Sequence, residues 1–147
     1  MKSVWDTTVR EELVARVSAL RPDALPRWGR LTCPRMLVHV TDALAMYMGD
    51  VPAGGKWTPL RYSPLKQVFI YVLPIPRNVP TAPELLSRAP ASWAEEQDRF
   101  GQTLAAFCAR DASAGWPTHP LFGRLSRRAL GVLAYKHTDH HLRQFGV

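Results

Sequence analysis

The sequence predicts an all-α fold, a four-helix bundle with a long irregular crossover between its second and third helices. Three observations predict it. Apolar residues recur at helical spacing in four separate stretches, each opened by a residue able to cap a helix. Proline and glycine collect between these stretches, with eight prolines and Gly54-Gly55 from residue 50 to residue 90. Strand signal is scarce, confined to the run Leu65 to Leu73. That run is too short for periodicity to separate a short helix from a buried strand, so an α+β fold using 65–73 as a strand is the competing architecture. Hydrophobic residues make up 46% of the 147-residue chain and charged residues 21%. That balance suits a single globular domain spanning 1–147 and excludes a disordered tail or a disulfide scaffold.

The elements follow in order. Thr7 or Thr8 can cap a first helix that runs to about Leu20, with Leu13 and Val17 on one face; Pro22 and Pro26 end it. Thr32 can cap a second helix. Pro34 falls in its first turn, where a missing N–H costs little, and Gly49 terminates it after Met48. Met36, Val40, Ala43 and Tyr47 make its buried stripe. Ser92, with Glu95 three residues on, reads as a capping box that opens a third helix running to Arg110. Trp93, Gln97, Phe100, Leu104 and Phe107 share a face of that helix. Gly115, Pro117 and Pro120 then break the chain, and Ser126 can cap a fourth helix running to about Phe145.

Lys and Arg number 19 against 12 Asp and Glu, a formal charge of +7. From residue 119 onward five basic residues (Arg124, Arg127, Arg128, Lys136, Arg143) face one acid, Asp139. No nucleic-acid motif or aromatic-interleaved basic stripe accompanies them, so nucleic acid is not the expected partner, while a basic rim suits small anions. Arg127 and Arg128 at the start of the fourth helix oppose its dipole, at about 0.3–1 kcal/mol each when exposed. Cys33 and Cys108 lack C-x-x-C spacing and read as free thiols in a reducing compartment, Cys108 in a core register. The polar start Met1-Lys2-Ser3-Val4-Trp5-Asp6 has no apolar signal core, and the longest apolar run, Val68 to Leu73, is too short to span a bilayer. The expected location is cytoplasmic, with no membrane partner.

The five histidines carry the chemistry. His137 and His141 stand at i and i+4, about 40° apart around the helix and one turn apart along it. Leu130, Leu133, Ala134 and Gln144 share their face, so both imidazoles are expected to point inward. An i, i+4 histidine pair offers two nitrogens to a metal. His39, at the edge of the buried stripe of the second helix, is the candidate third ligand. Three histidines leave a fourth position for water or substrate, the pattern of catalytic rather than structural zinc sites. Neutral nitrogen donors suit zinc, nickel or ferrous iron. His119, in a His-Pro loop, reads as a surface or structural residue, and His140 as partly exposed beside the pair.

Two segments resemble the DinB-like, or YfiT-like, superfamily of metal-dependent four-helix bundles. One is Trp28-Gly29-Arg30-Leu31-Thr32 with Met36-Leu37-Val38-His39-Val40-Thr41-Asp42-Ala43-Leu44. The other is His119-Pro120-Leu121-Phe122-Gly123-Arg124-Leu125-Ser126 with Lys136-His137-Thr138-Asp139-His140-His141-Leu142-Arg143-Gln144-Phe145-Gly146. Val79-Pro80-Thr81-Ala82-Pro83-Glu84 fits the same subgroup, one without an assigned reaction. The resemblance implies a metal triad of His39, His137 and His141, a zinc or nickel ion, and pairing into homodimers. Some relatives it points to are thiol-dependent transferases.

Two functions follow as expectations. In the first, the chain is a metal-dependent enzyme, a hydrolase or a thiol S-transferase, in which the open position takes water or a thiolate and Arg77, Arg124, Arg127 or Arg128 grips an anionic substrate. In the second, it is a non-catalytic metal-binding or stress-related module in which a fourth protein ligand, His119 or His140, closes the site.

Overall fold

The computed structural model describes every residue except Lys56, Pro80, Ala112 and Ala114. Pro80 of the Val79–Glu84 segment therefore lies outside the described residues. The described residues are all-helical, with five α-helices: α1 (Thr7–Ala19), α2 (Cys33–Met48), α3 (Leu65–Tyr71), α4 (Trp93–Ala109) and α5 (Arg127–Gln144). Short 3-10 turns lie at Pro59–Arg61 and Pro83–Leu86. Leu65–Tyr71 of the run 65–73 is helical and no residue of the run is a strand, which removes the α+β alternative; the only bridge among the described residues is an isolated pair between His119 and Gly123.

Local chemistry sets the helix ends. Asp6, not Thr7 or Thr8, caps α1: its carboxylate accepts from the Thr8 N–H at 3.0 Å and also from the Thr8 hydroxyl. A carboxylate here also brings negative charge to the positive end of the helix, which a hydroxyl does not. Thr32 occupies the cap position of α2 without a side-chain bond, and Gly49 ends that helix at φ 94°, a left-handed conformation that glycine adopts without a Cβ clash. Ser92 and Glu95 form the reciprocal capping box of α4. Ser126 accepts from the Ala129 N–H to open α5.

α2 is the most deeply covered of the long helices, with the Pro83–Leu86 turn packed on it as well. It packs on α4 and α5, while α1 packs on the same two helices from the other side. Its interior position explains why Met36, Leu37, Val38, Val40, Ala43 and Leu44 are all buried, a band wider than a single stripe. Each large aliphatic chain hidden there contributes about 1.5–3 kcal/mol. Val9, Leu13 and Val17 from α1, Phe100, Leu104 and Phe107 from α4, and Leu130, Leu133 and Leu142 from α5 complete the core. Cys33 is buried within it; Cys108 is only half-buried, its thiol directed at the Val4 carbonyl, and both are free thiols. No helix among the described residues is long and apolar enough to cross a membrane.

Three polar ties position α5. Asp139 accepts from Arg16 of α1 at 2.8 Å and pairs with Arg143 one turn on. Lys136 donates to the carbonyls of Phe69, Ile70 and Leu73, the otherwise unsatisfied acceptors at the end of α3. At the first turn of α5 the Arg127 guanidinium lies 4.0 Å from the Trp5 ring centroid and Arg128 lies over Tyr71. Stacking of these arginines on aromatic faces offsets the unfavourable dipole.

Candidate metal centre

His39 projects from α2, and His137 and His141 from α5, where those two helices pack together. One nitrogen from each of the three rings lies within 4.8 Å of the others. The ring centroids are 4.7–4.9 Å apart, and every pair meets nearly perpendicular, at 77–85°. Among the described residues this is the one group of three or more His, Cys, Asp or Glu side chains with metal-holding spacing. His39 Nε2 and His137 Nε2 are 3.1 Å apart. Two nitrogens bound at about 2.0–2.1 Å to one tetrahedral ion would stand about 3.4 Å apart, so the donor spacing fits a shared cation.

The second nitrogens complete the argument. Gln144 Nε2 donates to the Trp28 carbonyl at 2.6 Å, and Gln144 Oε1 lies 2.9 Å from His141 Nδ1. A carbonyl only accepts, so the amide is oriented with its oxygen toward the histidine. His141 Nδ1 must then carry the proton, and its Nε2 lone pair is left free toward the other two rings. Gly29 makes room for this relay. At φ 79°, a Cβ on it would stand 2.6 Å from Gln144 Nε2. His39 Nδ1 is buried, and the Leu85 backbone is the polar group that acts on its ring from outside the triad.

Electrostatics keep the three rings neutral and ready to donate. Burial pushes the His39 imidazole down to about 3, with His141 pushing the same way and the Leu85 backbone pulling weakly against. Burial lowers His141 to about 4 despite the Gln144 bond, and holds His137 well below the usual histidine range, helped by His141 and His39. Three uncharged imidazoles at this spacing form a donor set for a borderline divalent ion. His39 is buried, whereas His137 and His141 are only half-buried, so the cluster has an outward side.

The two remaining histidines stand apart from the triad. Of the two roles expected of His119, surface or structural, it takes the structural one, buried at 8% exposure. Its Nδ1 accepts from the Leu121 and Phe122 N–H groups at 3.1 and 3.3 Å, closing the turn that the His119–Gly123 bridge spans, and its ring packs on Tyr47 and Phe122. Burial pushes it down to about 4, with Arg61 acting in the same sense. His140 is half-buried, edge-on to Trp28 at 5.7 Å and to His141 at 5.1 Å. Neither supplies a fourth donor to the cluster.

The four candidate arginines separate by position. Arg127 precedes His141 by 14 residues on α5, about 21 Å along the helix, and Arg128 precedes His137 by nine, about 13 Å. Arg124 lies before α5 begins. Arg77 is the one of the four that acts on a histidine of α5: its guanidinium carbon lies 4.2 Å from the Trp28 ring centroid, and burial first, then the Arg77 charge, lowers His140. A surface depression of about 590 Å³ between Met1, Trp5, Arg127 and Arg128 shares no residue with the triad, so side-chain chemistry locates the site rather than concavity. No protein-family model, curated protein or solved structure matches the chain.

Proposed function

We propose that the chain is a DinB-like four-helix-bundle metalloprotein in which His39, His137 and His141 hold one divalent ion, zinc or nickel, with a position open to water or a thiolate. One observation carries this reading: three neutral imidazoles from two helices bring a nitrogen each within 4.8 Å, and Gln144 aims one of them. The ring of contacts from α1 to α4, α2, α5 and back to α1 supports the bundle assignment, with α3 lying in the crossover between the second and third long helices. Among the described residues no fourth protein donor joins the cluster, which favours an open, catalytic site over a closed structural one.

A bound ion supplies Lewis acidity and lowers the pKa of water or a thiol held beside it. The chain's own residues do the positioning. α2 and α5 fix the three rings, Gln144 fixes the His141 tautomer, and the half-buried faces of His137 and His141 leave an approach from solvent. The reaction class that fits is hydrolysis or thiol transfer to an electrophile.

Equilibrium dialysis against zinc and nickel, followed by elemental analysis, tests the reading. One equivalent per chain is expected, lost in His39→Ala and in His141→Ala while the far-UV helical signal persists. Full metal in either variant would overturn the assignment.

A further inference from the structure

We propose that Arg77 is an anion-binding residue of the triad site, so that its ligand carries a carboxylate or phosphate some way from the atom that meets the metal. The proposal rests on the metal reading above and deepens it by naming the ligand's charge.

Four observations converge on Arg77. Its guanidinium carbon lies 4.2 Å from the Trp28 ring centroid, while Trp28 meets His140 at 5.7 Å and His140 meets His141 at 5.1 Å. Stacking fixes a guanidinium plane and leaves its N–H edges free for a planar anion. Second, Arg77 is exposed and makes no ion pair or hydrogen bond among the described residues. Third, nothing nearby in the chain neutralises it: no Asp or Glu occurs between Asp50 and Glu84. Asp139, next to His140, is already held by Arg16 and Arg143. Fourth, the following residue, Asn78, is the one non-glycine residue with positive φ among those described, at 60°. Asn tolerates the left-handed region better than most residues, yet a turn there still costs energy that its surroundings must supply.

Trp28 links the two halves of the site. Its carbonyl holds Gln144, which aims His141, and its ring carries Arg77. The loop before α2 therefore ties to one residue both the amide that orients His141 and a cation with no ion pair among the described residues. A ligand reaching both would be selected by the distance between its metal-binding group and its anionic end.

The test uses Co(II), whose visible absorption reports its own ligands. Full-length protein is loaded with Co(II) and titrated with succinate, glutarate and adipate, each against the monocarboxylate of equal chain length. A second arm uses 3-phosphonopropionate to distinguish phosphate from carboxylate preference. At least one doubly anionic probe is expected to bind about tenfold more tightly than its singly charged counterpart. Arg77→Gln should erase that margin while leaving Co(II) stoichiometry and monocarboxylate binding unchanged, and Arg77→Lys should keep part of it. Arg21→Gln, which removes the same charge elsewhere, should keep all of it. A margin absent from the wild type across the series, or surviving in Arg77→Gln, overturns the proposal. Failure of the wild type to take up Co(II), read before any anion is added, overturns the metal reading and this proposal with it.

Discussion

Gln144 Oε1 sits 2.9 Å from His141 Nδ1, and that contact decides which imidazole nitrogen faces His39 and His137. The amide can serve only because its other end is anchored on the Trp28 carbonyl at 2.6 Å. Gln144→Ala should therefore weaken metal binding by about 10–100-fold, the usual cost of losing a partner that orients a histidine ligand, with little loss of helix. Competition against a chromophoric chelator would measure it. Gly29→Ala should act in the same direction, because the new methyl would displace Gln144 Nε2 at a backbone φ of 79°. Unchanged affinity in both variants would show that the relay has no influence on the ligand.

Acid sensitivity follows from the neutral histidines. His39 is pushed down to about 3 and His141 and His119 to about 4, against 6.5 for an unperturbed imidazole. Between these limits the unfolded chain binds more protons than the folded one, so stability rises with pH across this window and is lost as pH falls below 6.5. Each such histidine contributes on the order of 1 kcal/mol per pH unit, so the three together remove about 8 kcal/mol between pH 6.5 and 4, a large share of the roughly 5–15 kcal/mol that holds a domain. Urea unfolding of metal-free protein from pH 7.5 to 4.5 should show the decline, with little change between 7.5 and 7. A bound metal should move the acid transition to lower pH. Flat stability from pH 6.5 to 5 would contradict the burial argument.

Much of this arrangement was legible in the sequence because it is written in local rules. The i, i+4 spacing of His137 and His141, the Ser92–Glu95 box and the Gly49 stop each depend on residues within one turn. Pairing of His39 with α5 was legible too, since its place beside Met36, Val40 and Ala43 put it at the buried side of α2. Long-range contacts were not. The Lys136 bonds to the end of α3 span more than sixty residues, and the Gln144 bond to Trp28 spans 116, with no periodicity to announce either. Asp6 rather than either threonine caps α1 because the backbone turns helical at Thr7, one residue earlier than a threonine cap allows. Its place before a proline in a loop left His119 as surface or structural; the loop folds back over Tyr47 and Phe122 and makes it structural.

His119 gives the control for the triad. Its Nδ1 closes a turn and its ring fills space beside Tyr47, so His119→Ala leaves two N–H groups without their acceptor and opens a void. The expected cost is about 2–3 kcal/mol, read as a lower urea midpoint. Metal stoichiometry should stay at one per chain. Loss of the metal with the fold intact would make His119 a fourth ligand and the site a closed one.

Glu96 supports the loop over α2 and provides the last prediction. Its carboxylate is completely buried and accepts both Arg88 Nη1 and Nη2, at 2.6 and 2.9 Å, together with the Ala91 N–H. Burial pushes this carboxyl up, but the Arg88 and Ala91 bonds more than offset it, leaving it below the usual glutamate range. Arg88 also reaches Asp42, one turn after His39 on α2, so the same guanidinium ties the 83–92 segment to the helix that carries a triad histidine. Glu96→Ala removes both Arg88 bonds to α4, leaving Arg88 only Asp42, and takes the acceptor from the Ala91 N–H. It should cost about 3 kcal/mol or more, lowering Tm by roughly 6–12 °C. Glu96→Gln retains an acceptor for Arg88 and should lose less. Both variants should still take up one metal below their transitions, because the triad is held by α2 and α5 rather than by the loop. An unchanged Tm in Glu96→Ala would mean that this buried pair contributes nothing to holding the loop in place.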